Sequence, residues 1–339
     1  MKKTYLIVIL LFILCGCSIG KPQTQNKQFF AMNTIIDVTV FTKDKHVLND
    51  IQQKIIEIEK LMSVNITTSD VNKINSNAGI KPIVVNELTY EVIKTALKYQ
   101  ELSNNSFQIT IYPLVKLWNI SSDTETIPTQ DQIAEVRQYS NTKYLQINDE
   151  QKTIYLTNKN AGIDLGAIAK GYAADKIIDI LNDKGIEHAL ISLGGGIQAI
   201  GGKQNNEPWV LGLENPIEAD KGYFATCEIY SGALVTSGDY QRFKVVDGVK
   251  YHHIIDSETG YPVNNKLASV SIFANSSINA DAISTATYAL GLKEGYSFIN
   301  KLENVEAMFV THDKQVYITE GLKDKINIVD KGFIINEIR

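Results

Sequence analysis

Apolar and polar residues alternate from Ile35 to Phe41, and most are β-branched, which predicts a strand. From His46 to Met62 the period changes. Ile51, Ile55, Ile58 and Met62 fall three or four residues apart and mark one face of a helix. Ser63 to Gly79 is polar and turn-rich. Asn86 to Ser103 returns to helical spacing through Val92, Ala96 and Tyr99. Phe107 to Ile120 is apolar and contains Pro113 and Trp118, and Thr129 to Tyr139 reads as a short helix. Tyr144–Ile147 and Thr153–Leu156 read as strands around the turn Asn148-Asp149-Glu150. A helix from about Ile168 to Lys184 stops at Gly185, where a glycine in the left-handed conformation commonly ends a helix.

The second half is rich in strands. His188–Leu193 is a buried strand running into Gly194-Gly195-Gly196. Trp209–Leu213, Tyr223–Tyr230, Leu234–Ser237, Gln241–Val246 and Ala268–Phe273 are further short ones. Ala280–Leu290 and Lys293–Asn300 read as two helices. Glu306–Thr311 and Gln315–Thr319 close the chain as a hairpin around His312-Asp313-Lys314. Runs of strands with inserted helices, rather than regular βαβ alternation, predict an α+β fold with a largely antiparallel sheet. Neither an internal repeat nor a long linker follows Lys27, so 28–335 reads as one catalytic unit.

The N-terminus changes this picture. Lys2-Lys3 precede an apolar run from Tyr5 to Leu14, short of the ~20 residues that span a bilayer and laid out like a signal peptide. Leu14-Cys15-Gly16-Cys17 resembles a bacterial lipobox. The expectation is a signal peptide over 1–16, a lipid on Cys17, a flexible tether over 17–27 and a protein held on the extracytoplasmic face of the cell membrane; a plain secretory signal or an uncleaved anchor is the alternative. Of the three cysteines, Cys227 alone would remain unmodified, which leaves no internal disulfide. Its strand-like setting points to packing rather than thiol chemistry. Without Lys2 and Lys3, 31 basic against 38 acidic side chains leave a net charge of −7. With no dense basic stripe, nucleic acid is not an expected partner.

Four constellations carry candidate chemistry. Asp164-Leu165-Gly166-Ala167-Ile168-Ala169-Lys170 places a carboxylate, a glycine turn and a lysine at a helix start. Free N–H groups there suit a phosphate, although the same residues also suit an ordinary strand-to-helix turn with a capping aspartate. Asp281 and Thr285, four apart, put a carboxylate and a hydroxyl on one helix face, hard oxygens of the kind magnesium prefers. An N-cap aspartate beside a solvent-facing threonine is the plainer reading. His252-His253 point to opposite faces if they lie in a strand, so one of them can serve a site as general base, and the pair alone does not make a zinc site. An exposed pair of strand histidines is the alternative. Ser237, in Thr236-Ser237-Gly238-Asp239-Tyr240, lies outside the Gly-x-Ser-x-Gly pattern and suits binding better than covalent attack. Gly194-Gly195-Gly196 lacks a surrounding βαβ unit, which argues against a Rossmann site.

In this order the motifs resemble the ApbE family, the FAD:protein FMN transferases. Met32-Asn33-Thr34 is similar to its opening Met-Gly-Thr, Ser63–Asn75 to its Ser…Ser-Glu-hydrophobic…Asn segment, and Ser106-Phe107-Gln108-Ile109-Thr110, Pro113-Leu114 and Trp118 to its Phe-Asp-hydrophobic-Thr…Pro-Leu…Trp. The Asp164–Asp175 motif, Gly195-Gly196, Thr236-Ser237-Gly238-Asp239-Tyr240, His253-Ile254-Ile255-Asp256 and Asp281–Thr285 follow in sequence, and the match covers nearly all of the chain after Lys27.

The resemblance implies a T-fold-like domain with FAD in a cleft between two lobes. It implies Mg²⁺ on Asp281, Thr285 and the backbone carbonyl of Ala167, and FAD contacts from Met32, Asn65, Ser106, Phe107, Gln108, Asp164, Lys170 and Ile254. His253 would be the base, with Ser237 assisting near the phosphates. The implied reaction moves FMN from FAD to a Thr or Ser hydroxyl of an exported or membrane flavoprotein bearing a Ser/Thr-Gly-Ala-Ser/Thr-like stretch, and releases AMP. The chain departs from the family at Asn33 for glycine, Gln108 for aspartate and Asn65 for tyrosine. The loss of a stacking face at 65 raises the alternative of an FAD pyrophosphatase giving free FMN and AMP. A non-catalytic FAD-binding lipoprotein is the third reading.

Overall fold

The structure, a computed structural model, describes residues 22–122, 124 and 126–338. The signal-peptide and lipidation expectations at 1–16 and Cys17 lie outside the described residues. No helix among the described residues is long and apolar enough to cross a membrane.

Nine strands form the main sheet, and their order in space is their order along the chain: β1 (Gln23–Ala31), β2 (Thr34–Thr42), β3 (Ala189–Leu193), β4 (Gly196–Ile200), β5 (Gly232–Gly238), β6 (Leu267–Ala274), β7 (Val305–Thr311), β8 (Gln315–Ile318) and β9 (Ile334–Asn336). Every neighbouring pair is antiparallel except β8 with β9. The predicted α+β class and antiparallel sheet are therefore what the chain adopts. Everything else is inserted between consecutive strands. Helices α1 (Val47–Met62), α2 (Asp70–Ser76), α3 (Glu87–Leu102), α4 (Tyr112–Trp118), α5 (Gln130–Arg137) and α6 (Ala169–Asp183) fall between β2 and β3, and α7 (Ser277–Ile299) falls between β6 and β7.

Two cores cover the two faces of the sheet. The period-2 alternation of β7 shows the division: Ala307 and Phe309 join the core shared with Ile51, Ile55 and Ile58 of α1, Ile177 of α6 and Ile283 of α7. Met308 and Val310 join the other core, under a three-stranded sheet of Trp209–Glu214, Tyr223–Ile229 and Ile326–Ile328. Each fully buried isoleucine contributes about 1.5–3 kcal/mol, so the face of α1 predicted from its period is a principal anchor of the helical layer.

Several expectations are corrected. The tether read over 17–27 is in part ladder, because Gln23–Lys27 pair with Val38–Thr42 in β1. Their side chains are polar because that face of β1 is largely exposed, which hid the strand from a hydrophobicity pattern. The turn-rich segment 63–79 contains α2, capped by Ser69. The Gly194-Gly195-Gly196 run ends a strand without a βαβ unit, as expected, and does so as a hairpin turn leading into β4. The chain does not close at the β7–β8 hairpin, since Ile326–Ile328 and β9 follow it. The two helices read over 280–300 form one element broken at Gly291, which has φ 77°.

Candidate functional site

A cleft of about 1190 Å³ opens at one end of the main sheet. That exceeds the roughly 300–1,000 Å³ of most small-molecule pockets and suits a dinucleotide-sized ligand. Its rim includes two adjacent two-residue turns, Met32-Asn33 between β1 and β2 and Gly194-Gly195 between β3 and β4. Met32 and Asn33 both have positive φ (52° and 58°), as a hairpin turn of this length requires. Asparagine tolerates that conformation, so the departure from glycine at 33 leaves the turn intact. The Met32 N–H is held by Glu59 Oε1 at 2.8 Å.

All thirteen residues singled out from the sequence line this cleft: Met32, Asn65, Ser106, Phe107, Gln108, Asp164, Ala167, Lys170, Ser237, His253, Ile254, Asp281 and Thr285. Asn65 is exposed on the rim, whereas Phe107 and Ile254 are buried in the wall. The loop 106–109 is tied to the Asp164 turn by a hydrogen bond from the Asp164 N–H to the Ile109 carbonyl, 2.8 Å. Ser106 Oγ and Gln108 Oε1 are buried with no hydrogen-bond partner. Buried polar atoms are normally paired, so these two are oriented for a ligand or ordered water.

Asp164 Oδ1 accepts from the Gly166 N–H at 2.7 Å, and Lys170 Nζ donates to the Gly166 carbonyl at 3.0 Å. Burial pushes the Asp164 carboxyl above its usual pKa, against the pull of the Gly166 N–H, Lys170 and Arg242. The turn thus brings a carboxylate, a lysine and the start of α6 together.

Asp281 is not the N-cap of α7. Ser276 occupies that position, and Asp281 lies in the second turn, 5% exposed. Its Oδ2 accepts from the Gly171 N–H at 2.9 Å. Gly171 is the third residue of α6, so its N–H has no acceptor within the helix. The Ala167 carbonyl, two residues before α6, accepts no hydrogen bond among the described residues. One carboxylate, the Thr285 hydroxyl and one carbonyl without a donor belong to residues that line the same cleft. Ser237 Oγ, at the end of β5, is 2.8 Å from Ser284 Oγ and 3.4 Å from Thr285 Oγ1. Groups of three or more His, Cys, Asp or Glu do not form among the described residues. The oxygen-rich set with a single carboxylate fits magnesium, which keeps several positions for water and phosphate, and does not fit zinc.

The two histidines separate because the strand Val249–His252 ends between them and His253 lies in the bend just after it. His252 is buried, with Nε2 2.7 Å from the Val263 carbonyl and its ring edge-on to Tyr288. His253 lines the cleft, half-buried, with Nδ1 3.2 Å from the Arg242 carbonyl. Burial first, then the neighbouring Arg242, His252 and Lys170 charges, lower its pKa to about 4. Asp239 braces this region from outside the cleft. Its carboxylate accepts from Lys250 Nζ at 2.9 Å and lies 2.8 Å from His312 Nε2, which joins the end of β5 to the hairpin carrying His253.

Sequence reasoning missed Arg242 as a cleft residue. The signal was Asp247-Gly248, a two-residue hairpin turn. Counting back from Val246 opposite Val249 puts Phe243 opposite His252, and hence Arg242 beside His253. Cys227 is buried beneath the small sheet, and burial pushes its thiol up to about 12, consistent with packing.

A sequential antiparallel sheet with a phosphate-suited helix start and a hard-oxygen set at one end defines an α+β ligand-binding domain outside the doubly wound dinucleotide class. The chain belongs to the ApbE family, whose model matches residues 32–309. It is 31% identical to the FAD:protein FMN transferase of Treponema pallidum, with 97% of each chain covered. It is 30% identical to one from Klebsiella pneumoniae, covering 89% of this chain and 94% of the relative. Among solved structures, an ApbE protein from Thermotoga maritima superposes with a TM-score of 0.82 at 31% identity, covering 89% of this chain and 99% of that one. The flavin transferase ApbE of Vibrio cholerae superposes at 0.81 with 25% identity, covering 90% and 99%.

Proposed function

We propose that this chain is a Mg²⁺-dependent FAD:protein FMN transferase acting on a Thr or Ser hydroxyl of a flavoprotein. The transferase activity is that of its curated relatives, which match nearly its whole length. The observation that carries the metal assignment is the unpaired Ala167 carbonyl in the same cleft lining as Asp281 and Thr285. These three would hold Mg²⁺, which when bound neutralises pyrophosphate charge and polarises the phosphoryl oxygens.

The chain's own residues supply the rest. Met32, Asn65, the 106–108 loop, Asp164, Lys170 and Ile254 bind and orient FAD along the cleft. With its Nδ1 proton directed at the Arg242 carbonyl, His253 offers the Nε2 lone pair. Nε2 takes the proton of the acceptor hydroxyl as its oxygen bonds to the FMN-side phosphorus. The bridging P–O bond breaks, and AMP leaves with the electron pair. Ser237 orients Thr285. The acceptor carries a Ser/Thr-Gly-Ala-Ser/Thr-like stretch. A lipid on Cys17 holds the enzyme at the extracytoplasmic face of the cell membrane, where its acceptors are exported or membrane proteins.

Mass spectrometry of an acceptor domain incubated with the chain, FAD and Mg²⁺ tests this. A gain of one FMN on Thr or Ser, abolished by EDTA, is the expected result. Free FMN and AMP beside an unmodified acceptor would establish a pyrophosphatase, and intact FAD would leave a flavin-binding protein.

A further inference from the structure

Helices α6 and α7 cap each other. Asp175, in the second turn of α6, accepts from Ser276 Oγ at 2.7 Å, from the Ser277 N–H at 2.8 Å and from the Ile278 N–H at 3.0 Å. These are the first groups of α7. In return, Asp281 in the second turn of α7 accepts from Gly171 in the first turn of α6. Neither N-cap residue, Ile168 or Ser276, makes a side-chain capping hydrogen bond to its own helix. Each start is instead satisfied by the other's carboxylate, as its free N–H groups require. The two contacts lie one turn apart on both helices and run in opposite senses, Gly171 against Asp281 and Asp175 against Ser277.

The contact has no slack. A Cβ on Gly171 would stand 2.3 Å from the Ser277 carbonyl oxygen and 2.8 Å from Asp281 Cβ. The axial position of α7 along α6 therefore decides whether the Asp281 carboxylate meets the Gly171 N–H. That meeting satisfies an N–H that α6 itself leaves unpaired and ties Asp281 to the turn that carries the Ala167 carbonyl. Three hydrogen bonds to Asp175 hold that axial position from the other end.

We propose that Asp175, which lies outside the cleft lining, is the positioning residue for the cation set: it fixes the start of α7 so that Asp281 and the Ala167 carbonyl stand ready together. The proposal rests on the Mg²⁺ reading above. Groups that orient metal ligands typically change metal affinity 10- to 100-fold when removed.

The experiment is calorimetric titration of Mg²⁺ into the full chain, wild type and Asp175→Asn, with FAD affinity measured separately in EDTA. Asp175→Asn keeps the side-chain shape, and one oxygen remains to accept, so the chain folds. The Mg²⁺ dissociation constant is expected to rise about tenfold or more, with FAD affinity in EDTA within about twofold of wild type. Ser276→Ala, which removes one of the three bonds, should raise the Mg²⁺ constant by a smaller factor in the same direction. A lowered melting temperature with unchanged Mg²⁺ affinity in both variants would make Asp175 a purely structural cap and overturn the proposal. A wild type that takes up no Mg²⁺ would overturn the cation reading itself, and the two failures are distinct because the first requires a wild type that binds.

Discussion

The Nδ1 atom of His253 faces the backbone carbonyl oxygen of Arg242 at 3.2 Å. A carbonyl only accepts, so the neutral ring carries its proton on Nδ1 and its lone pair on Nε2. The tautomer required of a base is thereby set by the main chain of the residue opposite it in the hairpin. Replacing the Arg242 side chain leaves that carbonyl in place, so the tautomer does not depend on the guanidinium.

The lowered His253 pKa fixes the pH behaviour. At about 4, against an ordinary 6.5, the ring is already neutral and competent at pH 6. The acid limb of kcat/KM, which reports the free enzyme, should therefore fall well below 6.5, towards 4. The stability effect has the same cause. Between these two values the unfolded chain binds a proton that the folded chain does not, so stability is full above about 6.5 and declines as pH falls towards 4. Urea unfolding across pH 4–7 and a pH–rate profile check both. An acid limb at 6.5 that vanished in an active His253→Gln variant would contradict the assignment.

Gly171→Ala sets two effects against each other. Alanine favours a helix over glycine by up to ~1 kcal/mol. The new Cβ, however, would stand 2.3 Å from the backbone oxygen of Ser277, which cannot rotate away. Overpacking of this kind costs about 1–3 kcal/mol, so the variant should be less stable, and α7 should move off α6. Thermal unfolding should show a lower midpoint, and Mg²⁺ should then stabilise the variant less than the wild type. An unchanged midpoint would mean that the helices part without cost.

Where one face of an element is buried, its period was plain in the sequence: α1 and α3 were read within a residue or two of their observed ends, and α6 to within one. Elements whose exposed sides are polar, such as the first half of β1, or whose short length leaves no period, such as α2, were not legible. The site divides in the same way. Asp281, Thr285 and His253 carry unusual chemistry at informative spacings, and they meet in the cleft. Their environment was invisible, because it depends on packing between α6 and α7, more than 100 residues apart in the chain. Nothing in the spacing of Asp281 shows that its carboxylate caps the Gly171 N–H at the start of α6. Nor could the sequence show that Asp175, the last residue of the Asp164–Asp175 motif, caps a distant helix.

Gln108 stands where the family usually has aspartate, and its Oε1 is buried without a partner while its Nε2 donates to Thr142 Oγ1 at 3.3 Å. An amide anchored through its nitrogen presents an acceptor to the cleft without a charge, which suits an N–H edge of a neutral heterocycle. Gln108→Leu removes that acceptor and keeps comparable volume. FAD affinity, read by flavin fluorescence, should weaken about fivefold to tenfold, the worth of one hydrogen bond. The Oε1 atom has no protein partner to lose, and when the long bond from Nε2 goes Thr142 Oγ1 still accepts from Gln100 Nε2, so the melting temperature without FAD should fall little. A destabilised variant with unchanged FAD affinity would place the amide in the fold rather than in recognition.

Ser237 separates an orienting role from a covalent one. Its hydroxyl lies 2.8 Å from Ser284 Oγ and 3.4 Å from Thr285 Oγ1 at the buried end of β5. Ser284 keeps a second partner, the Asp281 carbonyl at 2.9 Å, so Ser237→Ala removes one link without orphaning its neighbour. The expected result is turnover reduced about tenfold, with FAD binding unchanged, as for the loss of a single hydrogen bond of about 1.4 kcal/mol. A nucleophilic serine would behave differently in two ways. Its alanine variant would lose all transfer, and the wild type incubated with FAD and Mg²⁺ but no acceptor would gain one FMN on Ser237. Intact-mass spectrometry of the wild type under those conditions decides the matter independently of the variant, and an unmodified chain is the outcome that the geometry requires, since Ser237 is engaged by hydroxyls of α7 and its Oγ has no adjacent base among the described residues.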